Sequence, residues 1–443
     1  MQFKNTLWAV FALLSAALWA PQANAIPAFA RQVGMACSAC HYQHFPVLNS
    51  FGRAFKEGGF TMIGAQEKIE DTTAPGVSIP AVLNAALVGY IADTKTNGPT
   101  ATAGTAKSTN DNSLQIPQQV SLFLAGRAGE HTGFEAEINL TPGAGGTIPD
   151  GSIGLIRFKV PFVYDVGNVK AGLVPFSTGL GAADSFEVLN TGAVAVHTFN
   201  QSDSAVVSAQ QYIGTATAAS GLAFIASNDN FFANFAKWGA NQGAGTSGSP
   251  TSNYLRAAWT TSLIPGFDSA IGFQAWTGTS GLDNIGGVSP MVTTDTKATA
   301  IDAQMMGDVG GLPLLLIASY ANAPASDVNT PGVNQNLFNA SGLSKKSLNI
   351  GAELGVIPGV ATVQLGMRRA NSGGYVDAAT AASGNATDNA ILIGATYNFA
   401  LNIRGEVTYA KSSGSMYNAA NAAAAGAAYT GTNFTMIDLA FGF

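Results

Sequence analysis

The chain closes on Thr435-Met436-Ile437-Asp438-Leu439-Ala440-Phe441-Gly442-Phe443, and this stretch decides the fold. In an extended chain successive side chains point to opposite faces. Thr435, Ile437, Leu439, Phe441 and Phe443 therefore share one face, and Met436, Asp438, Ala440 and Gly442 share the other. The first face is bulky and apolar. The second carries a carboxylate in mid-strand, which needs water or a partner beside it.

The same period recurs upstream. Ile403, Val407 and Tyr409 oppose Arg404, Glu406 and Thr408, and Ile391, Ile393, Tyr397 and Phe399 oppose Gly394, Thr396 and Asn398. Leu348, Ile350, Leu354 and Val356 oppose Asn349, Glu353 and Gly355, and Phe134, Ile138 and Leu140 oppose Glu135, Glu137 and Asn139. A soluble sandwich would alternate too, but three features favour a transmembrane barrel. Charge stands in mid-strand. Short links such as Ile357-Pro358-Gly359 alternate with long stretches rich in small and polar residues (96–112, 239–252, 371–388 and 411–433). Finally, a phenylalanine at the end of an alternating strand has the form of the assembly signal of bacterial outer-membrane proteins.

Composition agrees. Only 10% of residues are charged, against about 25% in ordinary globular domains. No apolar run reaches the roughly 20 residues of a spanning helix. The net charge of −6 offers no basic patch, so nucleic acid is not expected as a partner. The expectation is an all-β barrel of about 16 antiparallel strands over residues 75–443, set in outer-membrane lipid around an aqueous lumen. If Phe134, Ile138, Phe158 and Val160 face lipid, then His131, Glu135, Glu137, Arg157 and Lys159 point inward. Those charges either satisfy one another or set a transverse field as in porins.

Residues 1–25 read as a secretory signal: Lys4, the apolar run Leu7 to Ala20, and the small-residue cleavage site Ala23-Asn24-Ala25. Between it and the barrel lies a segment, 26–74, too small to bury a stable core without a staple. It contains the chain's only two cysteines, in Cys37-Ser38-Ala39-Cys40-His41. Two intervening residues set the thiols about one helical turn apart, the spacing of the two haem vinyl groups, and the following histidine can bind the iron. The alternative is a disulfide with a bystander histidine, in a chain holding 4 histidines altogether. Cys37 and Cys40 are thus the expected attachment points of one covalent haem c and His41 its axial ligand, with the haem as staple.

A helix is expected with Pro46 in its first turn, Leu48, Phe51 and Phe55 on one face, and Gly58-Gly59 as its stop. Arg53, Lys56 and Glu57 project elsewhere, and solvation is the simplest fate for Arg31 and Arg53. His44 follows His41 too closely to reach the far side of the ring. Met62 is the first candidate for sixth ligand; an open position or His131 are the alternatives.

At Phe29-Ala30-Arg31-Gln32, Gly34, Cys37 to His41, Phe45-Pro46, Leu48, Phe51-Gly52-Arg53 and Phe55-Lys56, the segment resembles the fused monohaem cytochrome–porins best known from iron-oxidising bacteria. That resemblance covers about 35 residues and implies a small cytochrome plugging a 16-stranded barrel. It implies electron transfer from an extracellular donor, Fe(II), to a periplasmic c-type cytochrome. It carries over Cys37, Cys40 and His41, and no iron-binding motif. Val33, the Tyr42-Gln43-His44 insert and Asn49-Ser50 depart from the family pattern. The competing functions are a solute porin whose haem-bearing segment is a gate or sensor, and a peroxidase-like haem with an open sixth position.

Overall fold

The computed structural model describes residues 28–64, 66–70, 78–102, 105–140, 154–192, 208–241, 250–282, 292–327, 333–373, 375–376, 383–384, 387–400, 402–417 and 433–443; the signal sequence expected at 1–25 lies outside them. Seventeen strands form one closed antiparallel barrel. They are β1 (Ala85–Thr102), β2 (Thr105–Arg127), β3 (Gly133–Asn139), β4 (Gly154–Lys159), β5 (Phe162–Val166), β6 (Val169–Thr178), β7 (Ala219–Ser227), β8 (Phe231–Gly239) and β9 (Ser252–Thr261). There follow β10 (Phe267–Thr277), β11 (Ala298–Val309), β12 (Leu312–Ala323), β13 (Lys345–Ile357), β14 (Ala361–Ser372), β15 (Thr387–Ala400), β16 (Ile403–Ser413) and β17 (Asn433–Gly442).

β4 and β5 both pair with β6, end to end, so the seventeen strands make sixteen staves. The break falls at Val160-Pro161, where proline has no N–H to continue a ladder. The opening stretch of sequence closes the ring. β17 pairs with β1 from Phe441↔Gly89 to Asn433↔Asn97. The Phe443 and Leu87 backbones exchange two hydrogen bonds of 2.8 Å.

The period-2 faces fall as their chemistry requires. Ile350, Leu365, Ile391, Ile393, Val407, Tyr409 and Ile437 stand exposed on the outer wall, while Glu353, Gln364, Arg368, Thr396, Glu406 and Asp438 are buried inside. An apolar outer wall with every stave paired to its neighbours leaves no sheet edge for lipid to meet, and the chain is a bacterial outer-membrane barrel. One rim carries the short links, among them Gly310-Gly311 and 358–360, together with the start of β1 and the end of β17; it is the periplasmic rim. The stretch 96–112, expected as a loop, instead pairs as an extension of the β1–β2 hairpin up to Thr102↔Thr105.

A bare barrel of this stave number encloses an aqueous channel, and the N-terminal segment is expected to plug it; the described interior is a packed core that the plug shares with a second segment. Val33, Phe55 and Phe60 from the N-terminal segment meet Phe186, Val188 and Leu189 from the segment after β6, and the wall residues Trp238, Tyr254 and Trp276. Two chain segments entering from opposite rims bring in the apolar side chains that a bare wall lacks. Residues 208–215, with helix α3 (Ala209–Ile213), complete the filling. The N-terminal segment holds helices α1 (Ala28–Val33) and α2 (Ser50–Glu57). Then comes a short ribbon pairing Lys68–Glu70 with Ser78–Pro80.

Candidate functional site

Cys37–Ala39 forms one tight helical turn. Cys40 N donates to Cys37 O at 3.1 Å and His41 N to the same oxygen at 2.9 Å, so Cys37, Cys40 and His41 are gathered on one turn. The cysteines are not bonded to each other. Burial pushes both thiols up from their ordinary range, which makes them poor thiolate ligands or nucleophiles as they stand.

Helix α2 braces this turn. It begins at Ser50, with Asn49 as its cap and Pro46 outside it, correcting the start expected from the proline. Asn49 Oδ1 accepts from Gly52 N at 2.9 Å while its Nδ2 donates to Ala39 O, also at 2.9 Å. One side chain therefore caps the helix and ties it to the cysteine turn. Leu48, expected on the helix face, precedes the helix and bridges to His41.

A Cβ on Gly52 would lie 2.2 Å from Cys40 O, a backbone atom that cannot swing away. Alanine would normally gain about 1 kcal/mol over glycine in a helix. Here the overlap reverses the sign. Gly52→Ala is expected to cost about 1–3 kcal/mol and to loosen the cysteine turn, read as a lower denaturant midpoint and faster proteolysis of residues 28–64.

The His41 Nδ1 is buried without a well-formed hydrogen bond. Burial pushes the imidazole down to about 4, against the opposing pull of the Val47 and Pro46 backbone, so the ring is neutral at ordinary pH. A neutral imidazole is the form that binds a metal. In the same segment Met35, Phe45 and Met62 remain 42%, 44% and 43% exposed, while Val33, Val47, Phe55 and Phe60 are buried. Phe45 stands edge-on to the His41 ring at 5.3 Å. A neutral imidazole, two thiols one turn apart and uncovered apolar side chains fit a covalently held haem. Met62 is anchored through its backbone: Gln32 Nε2 donates to Met62 O and to Phe60 O, both at 2.7 Å. Gln32 Oε1 in turn accepts from Arg127 N of β2 at 2.9 Å.

Sequence reasoning missed how the plug is held. The Tyr42-Gln43-His44 insert, a departure from the family pattern, is a docking arm. Tyr42 Oη donates to Gly307 O at 2.6 Å, Gln43 Nε2 donates to Glu353 O at 3.3 Å, and His44 Nε2 meets Glu353 Oε1 at 2.6 Å. Arg404 reaches the other His44 nitrogen at 2.6 Å. His44 is thus committed to the wall, in keeping with its exclusion as a sixth ligand. Arg53, expected in solvent, is buried against Asp268. Lys56 lies over the Phe186 ring, 5.7 Å from its centroid. Leu48 N donates to Asn190 Oδ1 at 2.7 Å, joining plug and inward segment. The only signal for these partners was charge in mid-strand.

Burial pushes the Glu57 carboxyl up to about 7, with Arg53 pulling the other way. A carboxyl whose folded value is raised adds stability below its ordinary value and loses it as pH climbs toward 7. Protease protection of the plug is therefore expected to weaken between about pH 5 and 8, and Glu57→Gln to flatten that slope.

The inward charges on β3 and β4 satisfy one another. Arg157 Nε lies 2.9 Å from Glu137 Oε2 and its Nη1 3.1 Å from Asp184 Oδ1, while Lys159 Nζ lies 2.9 Å from Asp184 Oδ1. His131 is the exception. It sits on the β2–β3 link and stacks on exposed Tyr164 at 4.4 Å, away from the lumen.

No protein-family model and no curated protein matches the chain. Among solved structures it is similar to the outer-membrane channel DcaP of Acinetobacter baumannii, at 12% identity and a TM-score of 0.48, over 84% of this chain and 100% of that one. It is similar to Salmonella typhi OmpF in complex with daunomycin, at 13% identity and 0.48, over 85% and 100%. It is also similar to outer-membrane expressed OmpT of Vibrio cholerae, at 10% identity and 0.47, over 85% and 100%.

Proposed function

We propose that the chain is an outer-membrane electron conduit. Cys37 and Cys40 hold one haem c through thioethers, His41 is its axial ligand and Met62 the sixth. Fe(II) outside the cell is the donor and a periplasmic c-type cytochrome the acceptor. The observation that carries this reading is the lodging of the Cys37–His41 turn in a segment that packs into the barrel. Electron tunnelling decays steeply with distance, and the apolar slab is about 25 Å thick. A redox group within the lumen stands nearer to both faces than one tethered outside. Bound there, a haem supplies a one-electron centre. The chain's own residues do the rest: Asn49 and Gly52 brace the cysteine turn, Tyr42 and His44 fix the plug to the wall, and Phe55, Phe60 and Phe186 exclude water beside it.

The test is stopped-flow spectroscopy of the purified full chain. A c-type spectrum reduced on mixing with Fe(II) is expected. Reduction only by another extracellular donor would keep the conduit and discard iron, and absence of a c-type spectrum would sink both.

A second reading, a solute porin with the plug as gate, is favoured by the sixteen staves and by a segment folded into the lumen after β6. Solute flux into liposomes that appears or persists when residues 26–70 are deleted supports it.

A further inference from the structure

We infer that the outer wall carries a binding site for the phosphorylated head group of an outer-leaflet lipid, built by Arg369 of β14 and Lys411 of β16. The argument begins with how charge is sorted on β13 to β17. Every acid of these five strands, Glu353, Asp388, Glu406 and Asp438, is buried on the lumen side. Arg368 and Arg404 point inward with them and are ion-paired. Arg369 and Lys411 instead face outward and exposed, with no hydrogen bond or ion pair among the described residues. With Lys346 of β13 exposed on the same face, the wall around them therefore offers cations and no internal counter-charge.

Both stand equally far along their strands. Arg369 is the ninth residue of β14 counted from its periplasmic end at Ala361, and Lys411 the ninth of β16 counted from Ile403. At about 3.3 Å per residue and a tilt of about 40°, both rise roughly 20 Å above the periplasmic rim. The apolar band of such barrels is about 25 Å tall, so both backbones stand in its outermost part, from where the long Arg and Lys side chains carry their charge up to the anionic head groups.

The site also has a shape. A shallow cavity of about 350 Å³ at the wall is lined by both cations, with Asn389, Ser413, Met367 and Ile391 between them and the buried Arg368 and Ala390 beneath. Arg369 pairs with Asn389 and Asn389 with Ser413, while Met367 pairs with Ile391 and Ile391 with Lys411. The upper row supplies hydrogen-bonding groups beside Arg369, whose planar fork suits phosphate oxygens. In the neighbouring row Met367 and Ile391 supply an apolar flank beside Lys411, suited to the start of an acyl chain. A free anion would use the cations alone; a phosphorylated lipid uses both rows.

The experiment uses the full chain in nanodiscs of phosphatidylcholine doped with diphosphoryl lipid A or with its dephosphorylated counterpart, and counts retained lipid by native mass spectrometry. Preferential retention of the phosphorylated form by the wild type is expected. With about 1 kcal/mol per cation near a charged surface, the double variant Arg369→Gln, Lys411→Gln should retain it about thirty-fold less well. Lys237→Gln, at an outward position on β8, should change nothing. Equal retention of both lipid forms by the wild type overturns the proposal without any variant having to fold. So does unchanged retention by a double variant that still migrates as a folded barrel. Displacement of the lipid by millimolar inorganic phosphate would overturn the lipid as occupant, leaving a simple anion site.

Discussion

Alanine at both Cys37 and Cys40 is expected to remove all covalently held haem and, with it, any Fe(II)-dependent change in absorbance. The two thiols stand on one turn, where Cys40 N and His41 N both bond to Cys37 O, so each variant would remove one of the two proposed thioethers. The single variants should keep a reduced amount of haem through the remaining bond. His41→Ala should keep the covalent link while changing the axial ligation and shifting the spectrum. Haem-stained denaturing gels separate these outcomes, because only a thioether survives denaturation. The wall pairs its strands through contacts in which neither thiol takes part, so heat-modifiable migration of the barrel should persist in every variant. Fe(II)-driven electron uptake by the doubly substituted chain would discard the conduit reading.

The second large effect is expected at Arg256. This fully buried guanidinium on β9 reaches Glu187 Oε2 at 3.0 Å and Asp302 Oδ1 at 3.0 Å. Asp302 also accepts from Gln274 Nε2 at 3.1 Å and from Thr191 Oγ1. One cation thus ties the inward segment, through Glu187 and Thr191, to the strands β9, β10 and β11. Removing one partner of a buried pair usually costs 3–5 kcal/mol, since it leaves charge uncompensated, and here two carboxylates are left together. Arg256→Ala should destabilise the protein by at least about that much and expose residues 179–192 to protease, both measurable by denaturant midpoint and limited proteolysis. Arg256→Lys should fall between, because an ammonium cannot serve two carboxylates with a planar fork. Gly272→Ala offers an independent check: its Cβ would strike Arg256 Nη1 at 2.0 Å, so it should weaken the same latch. A barrel indifferent to all three changes would mean that the inward segment is held by its apolar contacts alone.

Both predictions concern the lumen, which the sequence described least well. Glu135, Glu137, Arg157 and Lys159 were legible as inward residues because strand alternation is a local property of backbone geometry. Asp184, the carboxylate shared by Arg157 and Lys159, was not, because it arrives on a segment with no period of its own. The helix was legible from Phe51, Phe55 and Gly58, but its start was misplaced: Pro46 suggested a first turn, and Asn49 took the cap by bonding both Gly52 N and Ala39 O. His131 was assigned to the lumen from its place beside β3, yet it lies in a link, where alternation does not hold.

The sequence by itself determined the alternating faces, the barrel class, the approximate stave number and the grouping of Cys37, Cys40 and His41. Each follows from residues within a few positions of one another. Only the tertiary structure decided that the lumen is packed, that Val160-Pro161 splits one stave in two, and that the plug docks through His44 to Glu353 across 309 residues of chain. The same holds for the sorting of charge between the two sides of β13 to β17. Such pairings depend on which residues closure of the barrel brings face to face, and no local period encodes them.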